Sequence, residues 1–382
     1  MKEKVLSAVI AIFLVTLAVS GFAQSFSTSD LEGDWIGYDI SVIPAMSAVL
    51  WLRGTATMDA SGNLTDASYI APDGTTITST GGELALDRQG VMSGSFTLDT
   101  GDTVTVVHGK LDQSKTNAVF VSVGTDGSMD IGYFFKTGGT FTTSDLEGTW
   151  YGYQTIIDAS TGAVFWVYGT YNLDASGSVI GSFTAADGSP VTVDSGTLSL
   201  DSAGIITGNL ALSTGQTPTI VHGKIDQGKT RGVFVGIETT DDSMFLAHLV
   251  KAGGTFKQSD GAGNWYVYGL NIIPSIPAVG WAYGQAHTDA SGNLTGSYTL
   301  PTGDSVTGTG VSAMDSAGVV TSNITLSTGD TSISPSTKMD QGKTSLTGVS
   351  INDPSGAMGI WLFLKKSYVP LSALPSLLLF DE

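Results

Sequence analysis

No cysteine occurs anywhere in the 382 residues, so no disulfide staples the fold and no thiolate is available as nucleophile or metal ligand. Cohesion must come from core burial, which requires domains of ordinary size. Basic residues are scarce: 16 Lys and Arg face 35 Asp and Glu, a formal net charge of −19. That balance excludes nucleic acid as a partner, and because the acids are scattered over turn-like stretches they read as solubilising charge. Long apolar runs are missing except at residues 5–19, where the run follows Lys2 and Lys4 and ends in small residues up to Ala23. This pattern is a secretory signal peptide, residues 1–23, with the mature chain starting at Gln24. The run is short for a membrane span and no second one follows, so the protein is expected to be exported, periplasmic or extracellular, with no transmembrane segment in the mature chain. Signatures of catalysis are also missing: there is no HExxH, GxSxG or P-loop, which argues for a protein that is not an enzyme and needs no cofactor or metal.

Helical periodicity is absent after the signal peptide, and 50 Gly with many Ser and Thr point to short strands and tight turns. What is present repeats. Displaced by 115 residues, the chain matches itself: Trp35, Trp150 and Trp265 fall together, as do Trp51, Trp166 and Trp281. The openings STSDLEGDWIGY, TTSDLEGTWYGY and KQSDGAGNWYVY are followed by HGKLDQSKT, HGKIDQGKT and STKMDQGKT, and each copy ends in a strand closing at Lys136, Lys251 or Lys365. Units this long bury their own core, so they are tandem domains rather than a solenoid. In the second copy, seven turn signals cut the unit into eight strands of about nine residues each. Consecutive hairpins without room for crossover helices make a meander, and an eight-stranded meander hides its edges by closing into an up-and-down barrel. The expected layout is all-β: barrels at residues 24–140, 141–255 and 256–368, then an apolar tail at 369–382, expected to dock along the third barrel.

The hexapeptide DASGNL stands at residues 59–64 and 289–294, with DASGSV at 174–179. A calcium loop would place several acids at alternate positions, and each of these has one. The pattern fits a type I turn ending in a left-handed Gly, with Asp capping its own backbone.

The Gly-x-Trp on the first strand of each copy (Gly33 with Trp35, Gly148 with Trp150, Gly263 with Trp265) resembles the opening of the calycin barrels, the lipocalin and avidin group. The resemblance is to the architecture, in three tandem copies, and to no specific family. It implies that each Trp closes one barrel end, that Lys136, Lys251 and Lys365 pack on Trp35, Trp150 and Trp265, and that small apolar ligands are candidate cargo.

Alternation on the second strand of the second copy turns Phe165, Val167, Gly169, Tyr171 and Leu173 inwards. Trp166 and Tyr168 then face outwards beside Tyr151 and Tyr153, as do Tyr266, Tyr268, Trp281 and Tyr283 in the third copy and Tyr38 and Trp51 in the first. These ten rings are the candidate contact residues; burial between barrels and a place in the pocket walls are the competing readings. His108, Lys110 and Asp112 are expected on a solvated polar face. The function that follows is a non-catalytic binding or surface-interaction protein whose partner is a small apolar ligand, a glycan or a surface protein. The alternative is a structural or assembly protein that associates with itself. A single outer-membrane barrel fits less well, because the outward rows are too polar for a lipid-facing band.

Overall fold

The computed structural model describes residues 25–44, 48–273 and 278–366. The expected signal peptide at 1–23 and the tail at 369–382 lie outside the described residues. Among the described residues the chain is all-β, in three closed antiparallel barrels of eight strands spanning residues 33–136, 148–251 and 263–365. Neighbouring strands pair as hairpins and the first pairs with the last, so no barrel leaves a free edge. The architecture is calycin-like, and no helix among the described residues is long and apolar enough to cross a membrane.

One end of every barrel is closed in the same way. A four-residue 3₁₀ turn precedes the first strand, at Thr28–Leu31, Thr143–Leu146 and Gln258–Gly261. Inside the barrel, Trp35, Trp150 and Trp265 donate their indole N–H to the carbonyls of Leu31, Leu146 and Gly261 at 2.8, 2.7 and 3.0 Å. Their cross-strand partners Lys136, Lys251 and Lys365 donate to the carbonyls of Asp30, Asp145 and Asp260. The ammonium groups lie 5.4, 5.2 and 5.2 Å from the indole centroids, so one short turn is held by an indole and a cation that also touch each other.

The repeated hexapeptides are turns. The Oδ1 of Asp59 accepts the amide N–H groups of Ser61 and Asn63, both at 2.9 Å, and Gly62 takes φ +85°. A side chain at Gly62 would meet the carbonyl of Leu84, so glycine is needed there for both conformation and space. Asp174 and Asp289 cap their turns in the same way.

The three barrels form a closed ring. The outward Trp51 of the first donates to the carbonyl of Gly236 in the second at 3.1 Å; Trp166 of the second donates to Ser350 in the third at 3.0 Å; Trp281 of the third returns to Ser122 in the first at 2.9 Å. Beside these bonds, the hydroxyls of Tyr38, Tyr153 and Tyr268 approach His222 Nδ1, Ser336 Oγ and His108 Nδ1 at 2.7, 3.1 and 2.7 Å. Each barrel therefore offers its first two strands to one neighbour and its sixth and seventh to the other. Where all three meet, the Arg231 guanidinium binds Asp112 of the first barrel at 2.6 Å, Asp226 of its own at 3.5 Å and the Ser345 hydroxyl of the third at 3.2 Å.

Candidate functional site

The ring disposes of the aromatic residues singled out above. Tyr38, Trp51, Tyr153, Trp166, Tyr266, Tyr268 and Trp281 are buried, and Tyr151, Tyr168 and Tyr283 are partly buried against them, in one apolar cluster shared by all three barrels. They face out of their own barrels and into the neighbours, so no exposed aromatic platform is formed by them. The reading of His108, Lys110 and Asp112 as solvated needs correction. Lys110 is fully buried, between Phe26 of its own barrel and Tyr266 of the third, and Asp112 is 4% exposed, covered by Arg231 of the second. His108 stacks on Tyr283 with centroids 4.9 Å apart. The Lys110 ammonium lies 4.2 Å from the Phe26 ring and donates to the carbonyl of Leu111; burial, partly offset by Asp112 and Asp87, lowers its pKa to about 8.

Burial also governs the histidines. It lowers His108 and His222 to about 4 and His248, which packs edge-on against Tyr133 at 4.1 Å, to about 3. Between pH 6.5 and 3 the unfolded chain thus binds a proton at His248 that the folded chain does not, and stability rises with pH across that window. Each pH unit below 6.5 costs about 1.4 kcal/mol from this residue alone. In the third barrel the equivalent position is Leu362. His248→Leu is therefore expected to fold and to lose about 2 kcal/mol less than the wild type between pH 7 and pH 5, read from urea midpoints. Equal pH slopes in the two proteins would remove His248 as the cause.

A large cavity lies inside the second barrel. On the first strand, alternation sends Trp150, Gly152, Gln154 and Ile156 inwards; on the second it sends Phe165, Val167, Gly169, Tyr171 and Leu173. Trp150, Leu173 and Phe234 fill the closed end. Above them Gln154 donates its amide N–H to the Tyr171 hydroxyl at 2.8 Å, which satisfies both groups at the cavity floor. Beyond this floor the barrel is open, with a cavity of about 710 Å³. Phe165, Val167, Val191, Leu210, Leu212 and Phe245 form its walls, and Met358 of the third barrel reaches its edge. The mouth carries Asp158, Asp187, Glu238 and Asp241, and no Lys, Arg or His lines the cavity. An apolar interior with an acidic rim accepts neutral or cationic apolar molecules and repels fatty acids and other anions.

The other barrels share the frame but differ at two cross-strand pairs. At the floor the pairs are Asp39–Gly132, Gln154–Ala247 and Gly269–Trp361; one step towards the mouth they are Ser41–Asp130, Ile156–Phe245 and Asn271–Gly359. In the third barrel, Gly269 and Gly359 make room for the Trp361 indole, which donates to Ser350 Oγ at 2.8 Å and leaves a cavity of about 100 Å³. In the first barrel, carboxyls occupy the corresponding space. Among the described residues no group of three or more His, Asp or Glu is placed to hold a metal ion.

No protein-family model matches the chain, and no curated relative matches its sequence. Solved structures similar to it include transferrin binding protein B of Haemophilus parasuis, a double mutant, at 11% identity and a TM-score of 0.30, covering 88% of this chain and 76% of that one. Another is a protein of unknown function from the DUF3598 family of Nostoc punctiforme, at 12% identity and a TM-score of 0.24, covering 59% of this chain and 99% of that one. A third, kievitone hydratase of Nectria haematococca, is 8% identical with a TM-score of 0.22, over 59% of this chain and 90% of that one. At these scores the likenesses carry no functional argument.

Proposed function

We propose that this protein is an exported, non-catalytic carrier that holds a small, neutral apolar molecule in the second barrel. The supporting observation is the open cavity of about 710 Å³, walled by apolar side chains, floored by the mutually satisfied Gln154 and Tyr171, and with acids as its only charged lining residues. Export rests on the leader pattern at residues 1–23, which places the protein in the periplasm or outside the cell. A glycan stacking on the ten outward rings has no support, since those rings lie in the contacts between barrels.

The test begins with the intact mass of the protein purified gently from its native compartment. One added mass per chain, lost on organic extraction, is the expected result. The extracted protein should take up neutral N-phenyl-1-naphthylamine with a rise in fluorescence and bind oleate at least tenfold more weakly. Val167→Trp, which puts an indole into the cavity, should cut uptake of the neutral probe at least tenfold. The proposal is wrong if the extracted protein takes up no probe, or if Val167→Trp binds it as well as the wild type.

A further inference from the structure

The first barrel contains a cavity of about 140 Å³, about the liquid volume of five waters at ~30 Å³ each. Three of its lining residues, Asp39, Ser41 and Asp130, come from the cross-strand steps where the barrels differ. Asp130 is provided for: the Ser122 hydroxyl donates to its Oδ2 at 2.9 Å. Asp39 is not. The residue is 4% exposed, and its Oδ1 has no hydrogen-bond partner among the described residues. Leaving a buried carboxyl oxygen unpaired costs stability, and the fold does not demand it, since the equivalent Gln154 is paired with Tyr171 and the equivalent Gly269 has no side chain at all. A buried polar atom that the protein itself leaves unpaired is one that a water or a ligand would complete.

The surroundings indicate the ligand's chemistry. Tyr69 and Phe96 stack with centroids 6.2 Å apart, and Phe120 joins them in the wall. Asp126 stands at the same cavity, and no Lys, Arg or His lines it. Two carboxyls at one end and aromatic faces along the sides match a cation carrying both N–H donors and an apolar body. We propose that the first barrel is a second binding site, for a small organic ammonium whose N–H groups bond Asp39 and Asp130 and whose apolar part packs on Tyr69, Phe96 and Phe120. Burial, and then repulsion from Asp130, raises Asp39 well above the usual carboxylate range, and a cation beside it would favour its charged form. The site is independent of the carrier site in the second barrel and uses none of its residues.

The test is calorimetric titration of the full mature chain with benzylamine and with the isosteric benzyl alcohol at pH 7.5. The amine is expected to fill one saturable site that survives Val167→Trp, at least tenfold more tightly than the alcohol. Asp39→Asn and, separately, Asp130→Asn should each weaken the amine at least tenfold while leaving naphthylamine uptake by the second barrel intact, which also shows that the variants fold. Val167→Trp should leave amine binding unchanged. The proposal is overturned if the alcohol binds as tightly as the amine, if benzylamine shows no saturable binding, or if amine affinity follows Val167→Trp and ignores both Asp substitutions.

Discussion

Arg231→Met is expected to destabilise the protein by about 3 kcal/mol at pH 7, the low end of the cost of removing one partner from a buried ionic group. The guanidinium is the cation shared by three barrels: it bonds Asp112 and Asp226 directly, and Asp340 is near enough to interact through its charge. These three carboxylates are 4, 5 and 4% exposed and occupy equivalent turns, so the ring brings three acids to one junction. Each accepts hydrogen bonds from its own turn, Asp112 from Ser114 and Asn117 and Asp340 from Thr344 and Ser345, which is why the lower figure applies. Burial pushes Asp112 up, but Arg231 together with Asn117 and Ser114 more than offsets this and holds the carboxyl below its usual range. A depressed carboxylate contributes stability above its unfolded pKa of about 3.9 and loses it as pH falls through the folded value. The difference between Arg231→Met and wild type should therefore be largest at neutral pH and shrink below about pH 4. Adding Asp112→Asn to Arg231→Met should restore part of the loss at pH 7. An Arg231→Met protein with wild-type urea midpoint at pH 7 would show that the turns alone satisfy the three acids.

How far the sequence reached can be judged from particular residues. The barrels were legible because turn signals recur evenly and Trp35, Trp150 and Trp265 repeat with their strands; the all-β, three-barrel reading holds. Alternation on the strand carrying Phe165 and Trp166 separated inside from outside, since a period of two decides orientation once one buried residue is known. Burial of the outward rings between barrels was among the readings the sequence allowed, but the closed ring and its partners were not legible, because its bonds join residues about 160 to 185 positions apart, such as Trp281 with Ser122 and Trp51 with Gly236. That is why Lys110 and Asp112, polar residues on an outward face, read as solvated although a neighbouring barrel covers them. Arg231 gave no signal either, as the equivalent positions hold Asn117 and Ser345. The candidate site was half visible. Its inward apolar row could be read, but its openness depends on what stands opposite: Gln154–Ala247 leaves space where Gly269–Trp361 fills it. Single-letter differences between copies are small against a repeat that otherwise aligns, yet they make three different interiors.

The second large effect is expected at the ring itself. Trp166 is 2% exposed, packs against Tyr168 at 5.7 Å and bonds the Ser350 carbonyl of the third barrel. Trp166→Ala should cost about 3–5 kcal/mol from lost packing and the residual cavity, with a further contribution of about 1 kcal/mol from the orphaned carbonyl. The loss should not be shared evenly. The first and second barrels each have a large buried apolar cluster of their own, whereas the buried interior cluster of the third is Phe256, Trp265, Met339 and Leu346. Much of the third barrel's apolar burial, including Tyr266, Tyr268, Leu270 and Ile360, belongs to the cluster shared around the ring. Opening the ring on either side of it should therefore release the third barrel first. Native-state hydrogen exchange is expected to show protection falling over residues 263–365 in Trp166→Ala and in Trp281→Ala, with the second barrel's strands still protected. Trp51→Ala, between the first two barrels, should cost a similar amount while the third barrel keeps its protection until global unfolding. If Trp166→Ala instead lowers protection equally in all three barrels, the ring is a single cooperative unit and the third barrel does not depend on it more than the others.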